Sequence, residues 1–349
     1  MTSLENLSCP VPILKHETIQ LAHGAGGRLS AELVEKVILP RFSNPTLDAL
    51  EDQAVFAVTE GRLAFSTDTF VVDPIFFPGG DIGELAINGT INDIAMSGAV
   101  PQYLSVGFIL EEGLPIDTFH RILLSMETAA RQAGVLIVTG DTKVVSKGSC
   151  DKIFINTSGI GRVPSDIQLG VDRIRPGDAI LLSGTIADHG MAVLTTRKGL
   201  SFRSRVQSDT AALHDLVADM LKVCPNIRTF RDPTRGGVAT TLNEFAQQSQ
   251  LGMIIREECI PVKPDVKGAC EILGIDPLYV ANEGKLIAVV PKTRAQELLE
   301  AMRNHPLGRD AVILGSVTDQ HPGLVTLASL LGAARIVDMP VGEQLPRIC

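Results

Sequence analysis

The chain has 349 residues, of which 45% are hydrophobic and 20% are charged. This composition excludes a disordered chain and provides enough apolar side chains for a core, more in keeping with two domains than with one. The formal net charge of −9 and the lack of a long Lys or Arg run argue against nucleic acid or an anionic membrane as the main partner, because both attract concentrated positive charge.

The start of the sequence and its cysteines bear on the compartment. No basic patch leads into an apolar run, and no apolar stretch is long enough to cross a bilayer, so we predict a cytoplasmic location. The cysteines are widely separated and include no Cys-x-x-Cys pair, which indicates neither a zinc site nor a disulfide framework. They stand at positions 9, 150, 224, 259, 270 and 349.

A glycine-rich segment, His23-Gly24-Ala25-Gly26-Gly27, precedes a helical pattern at residues 30–38. Its backbone amides could face an anion. The spacing is neither that of the dinucleotide fingerprint nor that of a Walker A loop, and a plain turn is the other interpretation.

Acidic residues recur around the elements that follow. Strands are predicted at 54–58, 63–67, 103–110 and 135–139, with a small-residue helix that opens at 79–84 and a second helix at 118–133. Asp68, Asp93 and Asp141 fall at the ends of these elements, with Glu51 and Asp52 in support. Convergent carboxylates need cations between them, and hard oxygen ligands suit Mg²⁺ carrying a polyphosphate. The alternative is that they are ordinary turn and cap residues.

The second half begins after a polar turn at 171–178, which we take as the domain boundary. Its predicted strands are 179–183, 253–256, 286–290, 311–318 and 324–328, and its predicted helices include 209–223 and 293–304. Both halves mix strands and helices in an α+β manner. We therefore predict an N-terminal domain at 1–172, a C-terminal domain at 173–335 and a tail at 336–349.

The tail contains Pro340, Gly342 and Pro346 and closes with Cys349. The prolines disfavour a helix, so the tail is predicted to be extended or mobile. Residues 341–349 would span roughly 30 Å when extended, enough to carry the thiol into a cleft. A frayed terminus is the alternative.

The segment Asp93-x-x-x-x-Gly98-Ala99-x-Pro101 matches the signature of the PurM-like, AIR synthase-related ATP-binding superfamily. The acidic pair at 51–52, the aspartates at 68 and 141 and the glycine motif at 232–237 also resemble motifs of that superfamily, in the same order. Within it the chain most resembles the HypE family of hydrogenase maturation factors. The segments that carry this resemblance are 23–27, 88–93, 140–145, 188–190, 231–237 and 346–349.

This resemblance implies a two-domain PurM-like fold and an ATP-dependent carbamoyl dehydratase that acts on its own tail. The N-terminal domain sheet would join that of a second copy in a barrel-like homodimer core, flanked by an α/β C-terminal domain. Cys349 would receive a carbamoyl group from the carbamoyltransferase HypF, and ATP with Mg²⁺ would convert it into a thiocyanate. The cyano group would pass to iron on the HypC–HypD complex as a cyanide ligand of a [NiFe]-hydrogenase.

The resemblance also assigns roles to residues. Metal ligands would be Asp52, Asp68, Asp93 and Asp141, and nucleotide contacts would be Gly24, Gly26, Gly27, Asp68, Asp93, Asp141 and Asp232. The catalytic residues would be Cys349, Lys143 and Glu283. A lysine becomes a useful base only if its pKa is lowered, whereas we expect Glu283 to be ionised already at neutral pH. We interpret His189 as structural rather than catalytic.

Two other functions remain open. A small-molecule kinase or synthetase of the same superfamily would carry the tail as incidental sequence. A non-catalytic scaffold would use the tail only to dock onto a partner, which leaves the acidic residues without a role.

Overall fold

The computed structural model describes residues 16–24, 32–45, 47, 61–197, 206–339 and 348. The predicted strand at 54–58 lies outside them. Before the first long strand, a π-helical segment, Val34–Ile38, runs into the short helix α1 (Leu39–Phe42).

A four-stranded sheet forms the body of the first half. Its strands are β1 (Arg62–Phe70), β4 (Val100–Glu111), β5 (Leu136–Val145) and β6 (Ile153–Val163), with a hairpin of β2 (Phe76–Phe77) and β3 (Gly80–Asp81) after β1. The order across the sheet is β1, β6, β4, β5. Only β4 and β5 run parallel in this sheet, because a helix crosses over between them.

Two helices cover one face of this sheet, namely α2 (Ile82–Met96) and α3 (Ile116–Gln132). The carboxylate of Asp81 caps α2 by accepting hydrogen bonds from the backbone N–H groups of Gly83 and Glu84. A Cβ on Gly83 would lie 2.6 Å from the carbonyl oxygen of Ile122, so glycine allows α2 and α3 to touch. Nearly every residue of α2 is buried.

No helix among the described residues covers the other face of the sheet, and we call it the open face. It carries large apolar side chains that are 42% to 69% exposed, at Leu63, Phe65, Val100, Ile109 and Leu136. The strand register places Asp141 and Lys143 of β5 on this face as well, in line with Gly107 and Ile109 of β4. The face opposite, toward α2, carries Asp68.

The second half is built on a seven-stranded sheet. Its strands are β7 (Ala179–Leu182), β8 (Thr229–Arg231), β9 (Gly252–Arg256), β10 (Ile287–Val290), β11 (Val312–Thr318), β12 (Val325–Ala328) and β13 (Ala334–Ile336), in the spatial order β13, β12, β9, β11, β7, β10, β8. Its helices are α4 (Asp188–Arg197), α5 (His214–Val223), α6 (Gly237–Ser249), α7 (Pro264–Leu273) and α8 (Ala295–Asn304).

Each face of this sheet has its own core. Leu181 of β7 packs in a cluster with Met220 of α5 and Leu298 of α8. Ile180, its neighbour in sequence, belongs to a cluster with Phe245 of α6, because successive strand residues point to opposite faces. The prediction of an α+β chain is confirmed.

Several predicted boundaries were wrong in a way that matters for the site. Asp68 and Asp141 lie inside β1 and β5, and Asp93 lies inside α2, rather than at element ends. The ladder of β1 with β6 continues through Asp68, which is opposite Thr157, because backbone pairing tolerates a polar side chain. Helix α5 begins at His214 and not near 209.

The start of the predicted tail is also held by the fold. The sequence reading gave no strand at 334–336, where β13 pairs with β12. Val337 is fully buried, its N–H donates to the carbonyl oxygen of Val325, and its own carbonyl accepts a hydrogen bond from the side chain of Asn243. In the part of the chain that the structure describes, no helix has the length and apolar character needed to span a bilayer.

Candidate active site between the two halves

Asp68 and Asp93 come together where β1 lies against α2. The hydroxyl of Ser66 on β1 donates to Asp93 Oδ2 at 2.7 Å. Asp68 lies two residues beyond Ser66 on the same side of β1, and its carboxylate accepts a hydrogen bond from the Thr69 N–H at 2.7 Å. Gly89 permits the approach, since a Cβ there would lie 2.8 Å from the ring of Phe70 and 3.9 Å from Asp68 Oδ2.

The second half contributes Asp232 and Glu283 from two loops, one after β8 and one before β10. They are only 8% and 3% exposed. Glu283 Oε1 is buried and has no hydrogen-bond partner among the residues that the structure describes. Such an orphaned carboxylate oxygen is costly unless a further group contacts it, and it is typical of functional sites.

The side chains of two asparagines hold these loops in position through hydrogen bonds. The amide of Asn282 donates to the carbonyl oxygen of Pro233 at 3.0 Å and accepts from the N–H of Ala187 at 2.8 Å. Asn92 of α2 donates to the carbonyl oxygen of Glu283 at 3.2 Å. The two halves are therefore joined by hydrogen bonds beside the acidic side chains.

A third loop packs on Glu283. Asp209 accepts a hydrogen bond from the Glu283 N–H at 3.2 Å and forms a buried ion pair with Lys285 at 3.1 Å. Gly284 is required because a Cβ there would lie 1.7 Å from the carbonyl oxygen of Asp209.

We call Asp68, Asp93, Asp232 and Glu283 the acidic cluster, because each interacts electrostatically with others of the set. Burial raises the pKa of Asp68 and that of Asp93. Repulsion from the charge of Asp68 raises the pKa of Asp93 as well. Burial and then repulsion from Asp93 raise the pKa of Asp232 to about 7. The cluster therefore resists holding all its charges at once.

Glu283 is affected by burial and by the charges around it. Burial, followed by repulsion from Asp232 and Asp209, raises its pKa well above 4.5. The expectation that Glu283 behaves as an ordinary ionised carboxylate took no account of this shift, since its burial could not be read from the sequence. Arg231 and Arg235 oppose this effect at Asp93 by lowering its pKa.

The chain end enters the same region. Ile348 is 3% exposed, and its carbonyl oxygen lies 2.8 Å from Nε2 of His189. Nδ1 of His189 lies 2.8 Å from the hydroxyl of Ser208, which is the residue before Asp209. A run of direct contacts thus connects Ile348 to the loop that holds Glu283.

Asp141 and Lys143 are not part of the acidic cluster. They form an ion pair at 3.0 Å on the open face, with side chains that are 69% and 65% exposed. The hydrogen bond from Lys143 lowers the pKa of Asp141. The expected convergence of Asp141 with Asp68 and Asp93 is not met within one chain, because β1 and β5 are opposite edges of the sheet and the side chains point to opposite faces.

A hollow on the open face lies beside this ion pair. It is lined by Thr69, Ile109, Asp141, Lys143 and Asn156, among others. Other predicted site residues, namely Gly26, Gly27, Asp52 and Cys349, lie outside the described residues, as does Glu51. Gly24 is the last residue of a 3₁₀ helix, Leu21–Gly24.

Asp68 and Asp93 fit a divalent cation by donor type. Carboxylate oxygens are the ligands that Mg²⁺ prefers, and a cation would offset the burial that raises the pKa of both groups and the repulsion from Asp68 that adds to it at Asp93. Within the described ranges, however, no group of three or more His, Cys, Asp or Glu side chains has the geometry to hold a metal ion. The described part of one chain therefore brings together Asp68 and Asp93 of the predicted ligand set.

The sequence reading missed the residues that support the site. Ser208 and Asp209 gave no signal, since each is a polar residue in an unremarkable context, and Ser66 stood only as a neighbour of Asp68 in a motif, with no role assigned. Asn88 and Asn92 are four residues apart on a helix that is buried on most sides, and that spacing could have revealed a polar stripe facing a partner.

Comparison with known proteins gives the class first. Residues 50–163 match the family model for "AIR synthase related protein, N-terminal domain", and residues 175–327 match the one for its C-terminal domain. The chain is therefore a two-domain protein of the AIR synthase-related, PurM-like class.

Similarity to individual proteins narrows this class. The chain is 54% identical over 336 residues to "Carbamoyl dehydratase HypE" of Azotobacter vinelandii, covering 96% of this chain and 98% of the relative. The crystal structure of HypE in complex with ATP matches with a TM-score of 0.92 and 51% identity, covering 95% of this chain and all of that one. A HypE–HypF complex structure matches with a TM-score of 0.78 and 48% identity, covering 88% and 99%. The chain belongs to the HypE family.

Proposed function

We propose that this protein is an ATP-dependent carbamoyl dehydratase that acts on an S-carbamoyl group carried by Cys349. The carboxamide loses its oxygen and the two protons on its nitrogen, and a thiocyanate remains as the cyanide donor for the iron of a [NiFe]-hydrogenase. The observation that carries this proposal is the burial of Ile348, one residue before Cys349, beside His189, which connects it through Ser208 to the loop that packs on Glu283.

Nucleotide would bind at the acidic cluster. Asp68 and Asp93 would hold Mg²⁺, together with Asp52 and Asp141 as the sequence predicts, and Asp232 would contact the nucleotide beside them. Gly24, Gly26 and Gly27 would close over the phosphates. When bound, ATP with Mg²⁺ supplies the phosphoryl group that makes the carboxamide oxygen a leaving group.

Glu283 is suited to accept a proton from the carboxamide nitrogen at Oε1. In the chain alone, burial and then repulsion from Asp232 raise the pKa of this carboxyl group, which favours its protonated form. Positive charge placed near Asp68 and Asp93 lowers the pKa of a neighbouring carboxyl group, so occupancy of the cluster would free Glu283 to act as a base. Its orphaned oxygen already has no other partner in the described part of the chain.

The role of Lys143 is easiest to reconcile with a homodimer. The open face exposes Phe65 and its apolar neighbours over one whole side of a sheet, and such surfaces mark protein interfaces. We propose that a second copy packs its own open face here in a barrel-like core. Asp141 and Lys143 of one copy would then serve the cleft of the other.

The proposed partners follow from the family. HypF would donate the carbamoyl group, in line with the complex of a HypE with HypF among similar structures. The HypC–HypD complex would accept the cyano group. We also propose the division into domains at 1–172 and 173–335, with the mobile segment confined to the tail.

The direct test is intact mass spectrometry of the C-terminal peptide after incubation with the carbamoyl donor, with and without ATP. Loss of one water from the carbamoylated peptide only with ATP is the expected result. Carbamoylated peptide that stays unchanged with ATP would contradict a dehydratase.

The alternative is a small-molecule kinase or synthetase in which the tail is incidental. The burial of Ile348 in the cleft disfavours it. The variant Cys349→Ala separates the two, because a kinase acting on a diffusible substrate would keep its full rate of ATP turnover, whereas the dehydratase would lose it.

A further inference from the structure

His189 contacts the last peptide unit before Cys349. Its Nε2 lies 2.8 Å from the carbonyl oxygen of Ile348, and that carbonyl belongs to the peptide bond that joins Ile348 to Cys349. The His189 side chain is fully buried. We propose that His189 is the positioning residue that fixes the thiol-bearing chain end for dehydration. This inference rests on the proposed function.

The hydrogen bonds around the ring define its tautomer. A backbone carbonyl can only accept, so Nε2 must carry the hydrogen and Nδ1 must accept from the hydroxyl of Ser208. The same hydroxyl oxygen accepts a hydrogen bond from the Thr210 N–H at 3.1 Å, which turns its own hydrogen toward the ring. A neutral imidazole satisfies every one of these contacts.

Burial favours that neutral form. It lowers the pKa of His189, while the hydrogen bond to Ile348 and the charge of Asp209 act in the opposite direction. Both ring nitrogens are engaged, so His189 has no free nitrogen with which to exchange protons with a substrate. Its role is therefore to hold the chain end rather than to take part in the chemistry.

The ring is also held on its other sides. It makes an edge-to-face contact with Phe77, with centroids 5.3 Å apart. His189 lies in the first turn of α4, and the residue before that helix, Ala187, donates its N–H to Asn282, the neighbour of Glu283. The anchor for the chain end and the proposed base are thus built on the same loops, so displacement of one displaces the other.

The test measures access to the Cys349 thiol in the full-length protein. Iodoacetamide labelling of the C-terminal peptide is followed by mass spectrometry, in parallel with the dehydration rate and ATP affinity. We expect His189→Leu to be labelled about tenfold faster and to dehydrate about tenfold more slowly, the effect of one lost buried hydrogen bond, with ATP affinity unchanged. His189→Gln should recover much of both, because its amide N–H can replace Nε2.

Two further variants control for folding. His120→Leu removes another buried histidine, on α3, and should leave the labelling rate unchanged. Ser208→Ala removes only the hydroxyl that orients the ring, and we expect labelling about threefold faster. If His189→Leu does not fold, Ser208→Ala decides.

Wild-type labelling rates in every folded variant at His189 and Ser208 would overturn the proposal, as would a slower dehydration in His189→Leu without faster labelling. Labelling needs no turnover. A wild-type protein that fails to dehydrate would therefore reject the proposed function while leaving the anchoring result readable.

Discussion

The two faces of the first sheet each carry an aspartate, and the pKa values of the two aspartates are shifted in opposite directions. Asp68 faces α2, is partly buried and has a raised pKa, whereas Asp141 lies on the open face, is largely exposed and has a lowered pKa. The strand register places them almost level, since Asp141 lies in line with Thr69, the neighbour of Asp68. The face on which a carboxylate lies, and not its place along the strand, determines what it can do.

This difference has a consequence for the site. The face toward α2, which we call the inner side, holds carboxylates that repel one another. The open face holds a lysine paired with an aspartate among apolar side chains. A site that needs both sets cannot be completed within one sheet, because the strands and the buried side chains lie between them. A second copy would therefore have to bring these residues past the edge of the sheet at β1, beside Asp68, and not through the open face.

The largest expected effect is at Asp93. Asp93→Asn removes a proposed cation ligand and should lower the dehydration rate at least about a thousandfold. The same change removes a repelled, buried charge, so the free energy of unfolding without nucleotide should stay equal or rise at pH 8. Turnover assays and urea unfolding measure the two effects. An Asp93→Asn variant with wild-type activity would show that the carboxylates of the inner side take no part in the mechanism.

The second prediction concerns the apolar residues of the open face. Phe65 is 69% exposed, and Phe65→Asp would bury a charge in the proposed interface, weakening the dimer about a hundredfold. Light scattering coupled to size exclusion measures this. The matched control is Leu331→Asp, because Leu331 is 96% exposed in the second half, away from the open face. A wild-type assembly state in Phe65→Asp would place the interface elsewhere.

Much of the fold was predictable from the sequence, and the pairing of functional residues was not. Hydrophobic periodicity located α3 and β4 to within three residues at each end, since both bury one regular stripe. Asp68, Asp93, Asp232 and Glu283 were each named as candidate site residues, and the structure places them near one another. Periodicity does not reveal which acids share a face once strands are joined in the order β1, β6, β4, β5, and Asp141 was misplaced for that reason.

The pKa of Glu283 shows a second limit. Its shift depends on burial and on Asp232 and Asp209, which are distant in sequence. Burial of the chain end was equally hidden, because Pro346 and Arg347 give no apolar pattern, and a single Ile348 carries the contact.

The third prediction concerns Lys143, which lies on the open face. Lys143→Met should lower the dehydration rate about a hundredfold, as expected for loss of a base, and change the free energy of unfolding by less than about 0.5 kcal/mol, since exposed ion pairs contribute little. The control is Lys147→Met, an exposed lysine just after β5, with no expected effect on the rate.

Mixed dimers then test the direction of the contribution. Combining Lys143→Met chains with Cys349→Ala chains should restore activity well above that of either alone, because a cleft with an intact thiol would receive an intact lysine from the other copy. If mixing restores nothing, Lys143 acts within its own chain or not at all.

The smallest expected effect is on the pH dependence of the free energy of unfolding, which should change with Asp232 but not with Asp141 of the open face. The pKa of Asp232 is raised to about 7 in the folded chain from about 4 in the unfolded one, so the folded state binds more protons between these values and stability falls as pH rises through 7. Asp232→Asn should remove about 1 kcal/mol of the fall in unfolding free energy between pH 6 and 8. Asp141 has a lowered pKa, so its contribution is lost only in acid, and Asp141→Asn should leave that interval unchanged. Urea unfolding at pH 6, 7 and 8 checks both variants, and equal slopes for the two would mean that the inner side is not electrostatically distinct from the open face.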